Sequence, residues 1–198
     1  MIDKQANNSI AEQLRASSDV KLAVMESQIG IIVQIADAIC QSLKAGGKAI
    51  FFGNGGSAAD AQHLASELVG RYKIERPAMN ALALTTDTSL ITALSNDYDF
   101  DQIFVRQVQG MTKSSDVVIG ITTSGKSVNV LNALIEASKL GAKTVCFSGM
   151  DGGPCADTAD ISLVVPSNDV PRIQEAHITV GHIICHLVEE EMFAAGCE

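Results

Sequence analysis

Apolar positions in the first fifty residues recur at intervals of three and four. Ile32, Ile35, Ala36, Ile39, Cys40 and Leu43 form one stripe that predicts a core-facing helix, closed by Gly46-Gly47. Residues 2–16 predict a shorter, more polar helix, so the chain is expected to open with a helical pair over residues 1–47. A hairpin placed ahead of the first strand has little core of its own to join, and is expected to pack on another subunit. From Lys48 the period changes. The short apolar runs KAIFF, NALALT, DVVIGIT, KTVCFSG and ISLVV alternate with AADAQHLASELVG, a polar helical stretch and SVNVLNALIEASKLG, and a last helix is expected over Pro171 to Glu191. The runs are continuously apolar, not alternating, which requires cover on both sheet faces. The pattern therefore predicts an α/β fold, a doubly wound parallel sheet flanked by helices. No repeat, low-complexity segment or linker interrupts it, so a single domain is expected over residues 1–198, with residues 48–198 as its α/β core.

In such a fold ligands sit beyond the carboxyl ends of the strands. Functional residues are expected just after Phe52, Thr85, Ile121, Ser148 and Val165.

Composition narrows the classes of partner. There are 14 Lys and Arg against 23 Asp and Glu, a net charge of −9, which disfavours nucleic acid and anionic membrane because both repel an acidic surface. With 46% hydrophobic residues but only 4% aromatics and no Trp, the core must be aliphatic. The five cysteines, Cys40, Cys146, Cys155, Cys185 and Cys197, form no C-x-x-C pair, and their odd number suits reduced, buried thiols. The opening MIDKQANNSIAEQL has no targeting pattern, and no continuous apolar run approaches the ~18 residues of a membrane span. A cytoplasmic protein is expected.

Two loops carry the candidate chemistry. Gly53-Asn54-Gly55-Gly56-Ser57 leaves a strand and opens a helix, where glycines allow close approach and free amides favour an anion. Gly53, Gly55 and Ala58 formally satisfy a dinucleotide fingerprint, but no acidic residue ends the next strand; a plain tight turn needs the same glycines. The second loop, Gly120-Ile121-Thr122-Thr123-Ser124-Gly125-Lys126-Ser127, is a literal G-x-x-x-x-G-K-[ST] string. A nucleotide reading also needs an acid at a strand end to hold magnesium, and Asp151 and Asp169 lie farther into loops. The alternative is a hydroxyl cradle for a sugar phosphate, built from Thr122, Thr123, Ser124 and Ser127 at a helix start. Four hydroxyls exceed what a helix cap requires.

His63 and Glu67 lie four apart, one turn along the same helix face, where they can share a metal ion or flank a substrate; a solvated surface pair fits the same spacing. Gln174, His177, His182 and His186 fall in the last helix, three of the four histidines of the chain, although a core or interface histidine is the commoner explanation for any one of them.

Together GNGGSAADAQHLASELVGRY, SNDYDFDQIF, GITTSGKSVNVLNAL, FSGMDGG and RIQEAHITVGHIICHLVE cover most of the chain and resemble the phosphoheptose isomerases, which have the sugar isomerase (SIS) fold. The resemblance implies a flavodoxin-like sheet and an aldose–ketose isomerase that converts sedoheptulose 7-phosphate to D-glycero-D-manno-heptose 7-phosphate, the first step towards ADP-heptose and the lipopolysaccharide core. It assigns the Ser/Thr loop to the substrate phosphate, with Lys126 standing where the family has Asn. Glu67 and His182 match the catalytic acid/base pair. Asn54, Gly55, Gly56, Ser57, Arg71, Asn96, Asp97 and Gln174 match substrate-binding positions, and His63, Glu67, Gln174 and His182 match a zinc set, one Zn2+ per subunit with no nucleotide. Gln174 and His182 are eight residues apart, ~12 Å along an ideal helix. One ion therefore requires a distorted helix or a site shared between subunits, and the resemblance implies a homotetramer. The rival readings are a non-catalytic binding protein of the same fold, such as the DnaA initiator-associating protein, a sugar-phosphate-sensing regulatory domain, and a P-loop kinase.

Overall fold

The computed structural model describes residues 4–193. The chain order is α1 Lys4–Lys44, β1 Ala49–Gly53, α2 Gly56–Val69, β2 Ala81–Ala83, α3 Thr88–Asp97, a 3-10 turn Phe100–Gln102, α4 Val105–Met111, β3 Val117–Ile121, α5 Val128–Lys139, β4 Lys143–Gly149, α6 Gly153–Thr158, β5 Ile161–Val165 and α7 Val170–Phe193. All five apolar runs became strands. The polar stretch after β2 divides into α3, the 3-10 turn and α4, and the short α6, begun by Pro154, was not foreseen.

The strands form one parallel sheet in the order β2-β1-β3-β4-β5. β1 and β3 are buried along their whole length, because helices cover both faces. On one side Phe51, Ile119, Ile121 and Phe147 meet Ile35 and Ile39 of α1, Leu64 and Leu68 of α2, and Val180 and Ile184 of α7. On the other side Phe52, Val118 and Cys146 meet Phe104, Val108, Val130 and Leu134. The strand order reverses between β1 and β3, and at such a switch point the loops diverge and leave a crevice. It lies between the two loops singled out above.

The expected N-terminal pair is instead one helix of 41 residues. Between the two predicted segments, residues 17–31 hold no Pro, and their one glycine, Gly30, is carried inside the helix, where a lone Gly costs only ~1 kcal/mol. The helix therefore runs on, with Lys21 Nζ donating to Ser17 Oγ at 2.8 Å across one turn. Within Ala6–Lys44 an 18-residue window reaches a mean hydropathy of 1.5, which by length and composition suffices to cross a membrane. This corrects the expectation of no such segment, which considered only uninterrupted apolar runs. Val24, Ile32, Ile35, Ala36, Ile39 and Cys40 of that helix are buried in the α/β core. Its other face leaves Leu14, Leu22, Met25 and Ile29 exposed.

Cys40, Cys146, Cys155 and Cys185 are free and buried, as read from the sequence, and Cys197 lies outside the described residues. Burial pushes the thiols of Cys40 and Cys155 up to about 11 and that of Cys185 up to about 12, so none is poised as a nucleophile.

Candidate active site

α2 starts at the carboxyl end of β1 and carries His63 and Glu67 along one face. α7 crosses close to it because Gly181 has no side chain: a Cβ there would stand 2.5 Å from Leu64 Cδ2. That approach brings the next residue, His182, against α2. His63 Nε2 lies 2.8 Å from His182 Nε2 and 3.3 Å from Glu67 Oε1. One donor atom from each of the three falls within 4.8 Å of the others. Two imidazole nitrogens and a carboxylate oxygen that converge in this way can hold a metal ion.

The crevice at the switch point is lined by Asn54, Ser57, Ile121, Thr122, Thr123 and Ser127 around a cavity of about 120 Å³. Its two sides are tied together by reciprocal amide hydrogen bonds between Asn54 and Asn129, both 2.9 Å. Gly55 precedes α2 with φ +56° and no side-chain cap, so no side chain occupies the amides of the first turn. Ser127 precedes α5 and likewise caps nothing; its hydroxyl instead lies 2.9 Å from Thr122 Oγ1. Hydroxyls and uncapped helix-start amides therefore share one small crevice, the chemistry that holds a phosphoryl group without net positive charge.

A sequence model described as SIS domain matches residues 13–149. The chain belongs to the SIS domain family. Among curated relatives of this SIS chain, the phosphoheptose isomerase of Sulfurimonas denitrificans is 51% identical over 94% of this chain and 97% of its own. That of Aquifex aeolicus is 55% identical over 89% and 92%. The solved structure of a phosphoheptose isomerase from Francisella tularensis superposes with a TM-score of 0.90 at 36% identity, covering 93% of this chain and 98% of that one. The phosphoheptose isomerase of Neisseria gonorrhoeae gives 0.88 at 38%, over 93% and 98%. These relatives are named as enzymes, which disfavours the non-catalytic alternative.

Within this SIS chain the sequence-selected residues fall into separate groups. His63, Glu67 and His182 come together. Asn54 and Gly55 lie in the loop after β1 and Thr122, Thr123, Ser124 and Ser127 in the loop after β3, while Gly56 and Ser57 open α2. Gln174 does not join the histidines: α7 is continuous from Val170 to Phe193, which keeps it ~12 Å along the axis from His182. Its amide packs instead on Gly56, where a Cβ would lie 1.6 Å from Gln174 Nε2. Asn96 and Asp97 are exposed at the end of α3, with Asn96 Nδ2 donating to Asp97 Oδ1 at 2.8 Å. Arg71 is exposed beyond α2, 3.8 Å from Glu75. Lys126 points outward to Asp151 at 3.2 Å.

His177 is a core residue, with Nε2 2.9 Å from the Ser148 carbonyl oxygen; burial lowers its ring to about 4 and keeps it neutral. His186 pairs with Glu190 at 3.4 Å. One residue was missed. Asp60, a turn before His63, lines a groove with Gly56 and Gln174. Its Oδ2 has no hydrogen-bond partner among the described residues, and burial, opposed by the charge of His63, pushes its carboxyl up to about 6. In sequence it was one more polar position of an amphipathic helix, and nothing marked it out.

Proposed function

We propose that this chain interconverts sedoheptulose 7-phosphate and D-glycero-D-manno-heptose 7-phosphate, at the start of heptose supply for lipopolysaccharide. The observation that carries the reading is the meeting of Glu67 and His182 on facing helices, with the hydroxyl-lined crevice at the start of the same helix α2. Aldose–ketose isomerisation needs a base for a carbon-bound proton, an acid/base for the neighbouring oxygens, and a fixed phosphate to hold the sugar in register. Glu67 takes the proton from one carbon and returns it to the next. His182 delivers and removes the proton on oxygen, so the enediol forms without a free oxyanion. Thr122, Thr123, Ser124 and Ser127 hold the phosphate, while Asn54 to Ser57 orient the chain of hydroxyls; Arg71, Asn96 and Asp97 complete the substrate contacts.

His63, Glu67 and His182 would hold the Zn2+. Bound there, zinc supplies Lewis-acid polarisation of the carbonyl and a fixed orientation for its ligands. Gln174 completes the set from a neighbouring subunit of a homotetramer. The exposed apolar row on α1 supports this assembly: Met25, Ile29 and Val33 join Ile183 and Leu187 of α7 around a groove of about 370 Å³. The enzyme works in the cytoplasm, on a soluble sugar phosphate.

The test is aldose formation from sedoheptulose 7-phosphate by the purified protein, with and without a chelator. Glu67→Gln and His182→Ala should each lose turnover by at least about 10²-fold, the usual scale of an acid/base contribution. Wild-type rates in either variant would refute the assignment.

A further inference from the structure

The ion pair between Arg76 and Glu189 has side chains only 1% and 2% exposed, and no step of the proposed reaction uses it. Its hydrogen bonds are distributed over three separate pieces of the site. Arg76 Nη2 donates to the carbonyl oxygen of Glu67 at 2.8 Å, and Nη1 to that of Leu68 at 2.8 Å, so the guanidinium closes the end of α2 on which Glu67 sits. Glu189 lies on α7 seven residues after His182, on nearly the same face because seven residues make almost two turns. Its carboxylate accepts from Arg76 Nε at 3.1 Å and from the backbone N–H groups of Tyr72, Lys73 and Ile74 at 3.0, 2.8 and 3.2 Å.

Those three amides hold the segment that carries Tyr72 directly over α7. The Tyr72 ring stacks on His182, with centroids 5.8 Å apart and planes at 27°, and also meets His186, one turn on, at 6.3 Å and the ammonium of Lys73 at 5.3 Å. Aromatic rings at 4.5–7 Å attract one another and restrict each other's rotation. His182 has few other restraints: it is half-buried, and its Nε2 must face His63 and Glu67 to act. We propose that Arg76 and Glu189 form a clamp that sets Tyr72 as the wall of the site, and that Tyr72 is a positioning residue holding the His182 imidazole towards His63 and Glu67. The proposal rests on reading these three residues as the reacting centre.

The test uses the intact oligomer of Tyr72→Ala, Tyr72→Phe and Glu67→Gln. Three quantities are measured: kcat and KM on sedoheptulose 7-phosphate, the dissociation constant for zinc by competition with a chromogenic chelator, and the thermal midpoint. Residues that orient ligating side chains typically change metal affinity or activity by about 10–100-fold when removed. Tyr72→Ala is therefore expected to lower kcat and weaken zinc binding, each by about tenfold or more, with KM changed much less. Tyr72→Phe keeps the ring and should rescue both readouts. A merely structural Tyr72 would lower the thermal midpoint while leaving kcat and zinc binding unchanged well below it; that outcome overturns the proposal. If Glu67→Gln keeps full turnover, the reading of the site has failed. If Glu67→Gln is inactive while Tyr72→Ala matches wild type, only the positioning role is overturned.

Discussion

Removing the Glu189 carboxylate is expected to destabilise the protein far more than an ordinary substitution, and in a way that apolar repair cannot undo. Breaking a buried pair by deleting one partner costs about 3–5 kcal/mol, because the surviving charge is left uncompensated. For a chain of this size that is a fall in melting temperature of roughly 6–20 °C, at about 2–4 °C per kcal/mol. Buried ion pairs can often be exchanged for apolar residues without loss. Here three of the four bonds to Glu189 come from backbone amides of Tyr72, Lys73 and Ile74, which no substitution at Arg76 removes. Glu189→Leu with Arg76→Met should therefore remain several kcal/mol less stable than wild type, since each stranded donor costs ~1–3 kcal/mol. Glu189→Gln should fall between wild type and Glu189→Ala, because its amide oxygen keeps one pair of acceptor contacts while its NH2 faces the donors of the other pair. The assay is thermal and urea unfolding at pH 7 and one fixed protein concentration, since oligomer linkage shifts the midpoint. A loss below about 1 kcal/mol in Glu189→Ala, or full recovery in the double variant, refutes the reasoning.

The pH dependence has a definite sign. Burial alone would raise the Glu189 carboxyl, but hydrogen bonds from Lys73, Tyr72, Ile74 and Arg76 outweigh it and hold the folded value below the ordinary 4.5. The unfolded chain therefore binds the proton first on acidification, and the contribution of Glu189 is complete above about pH 4.5. It is lost as the pH falls through the folded value, so the gap between wild type and Glu189→Gln should narrow there.

Two further outcomes follow from the site and the surface. Gly56→Ala places a Cβ on the Gln174 amide and should displace that flexible side chain; if Gln174 serves the site, KM for the sugar phosphate or zinc affinity changes while the melting temperature moves little, and unchanged kinetics would remove Gln174 from the assignment. Met25→Asp and Ile29→Asp put charge on the exposed face of α1, and analytical ultracentrifugation should show dissociation with loss of turnover; a fully active monomer would end the shared-site reading.

The sequence by itself determined the class of fold and the loops at the carboxyl edge of its sheet. Continuous apolar runs such as DVVIGIT can be buried only between two helical layers, so the parallel sheet followed from periodicity alone. The spacing of His63 and Glu67 was likewise local, since one helical turn joins them. Tertiary structure decided the rest. Nothing local places His182 2.8 Å from His63, 119 residues earlier; that meeting depends on Gly181 letting α7 approach Leu64. The expected helical pair is one helix, because no Pro separates its polar first half from the apolar stripe and the lone Gly30 is too weak a breaker to end it. Asp60, Arg76 and Glu189 were invisible for a common reason. A charged residue in sequence reads as solvent-facing, and only the packed fold shows which carboxylates are buried and which backbone amides they hold.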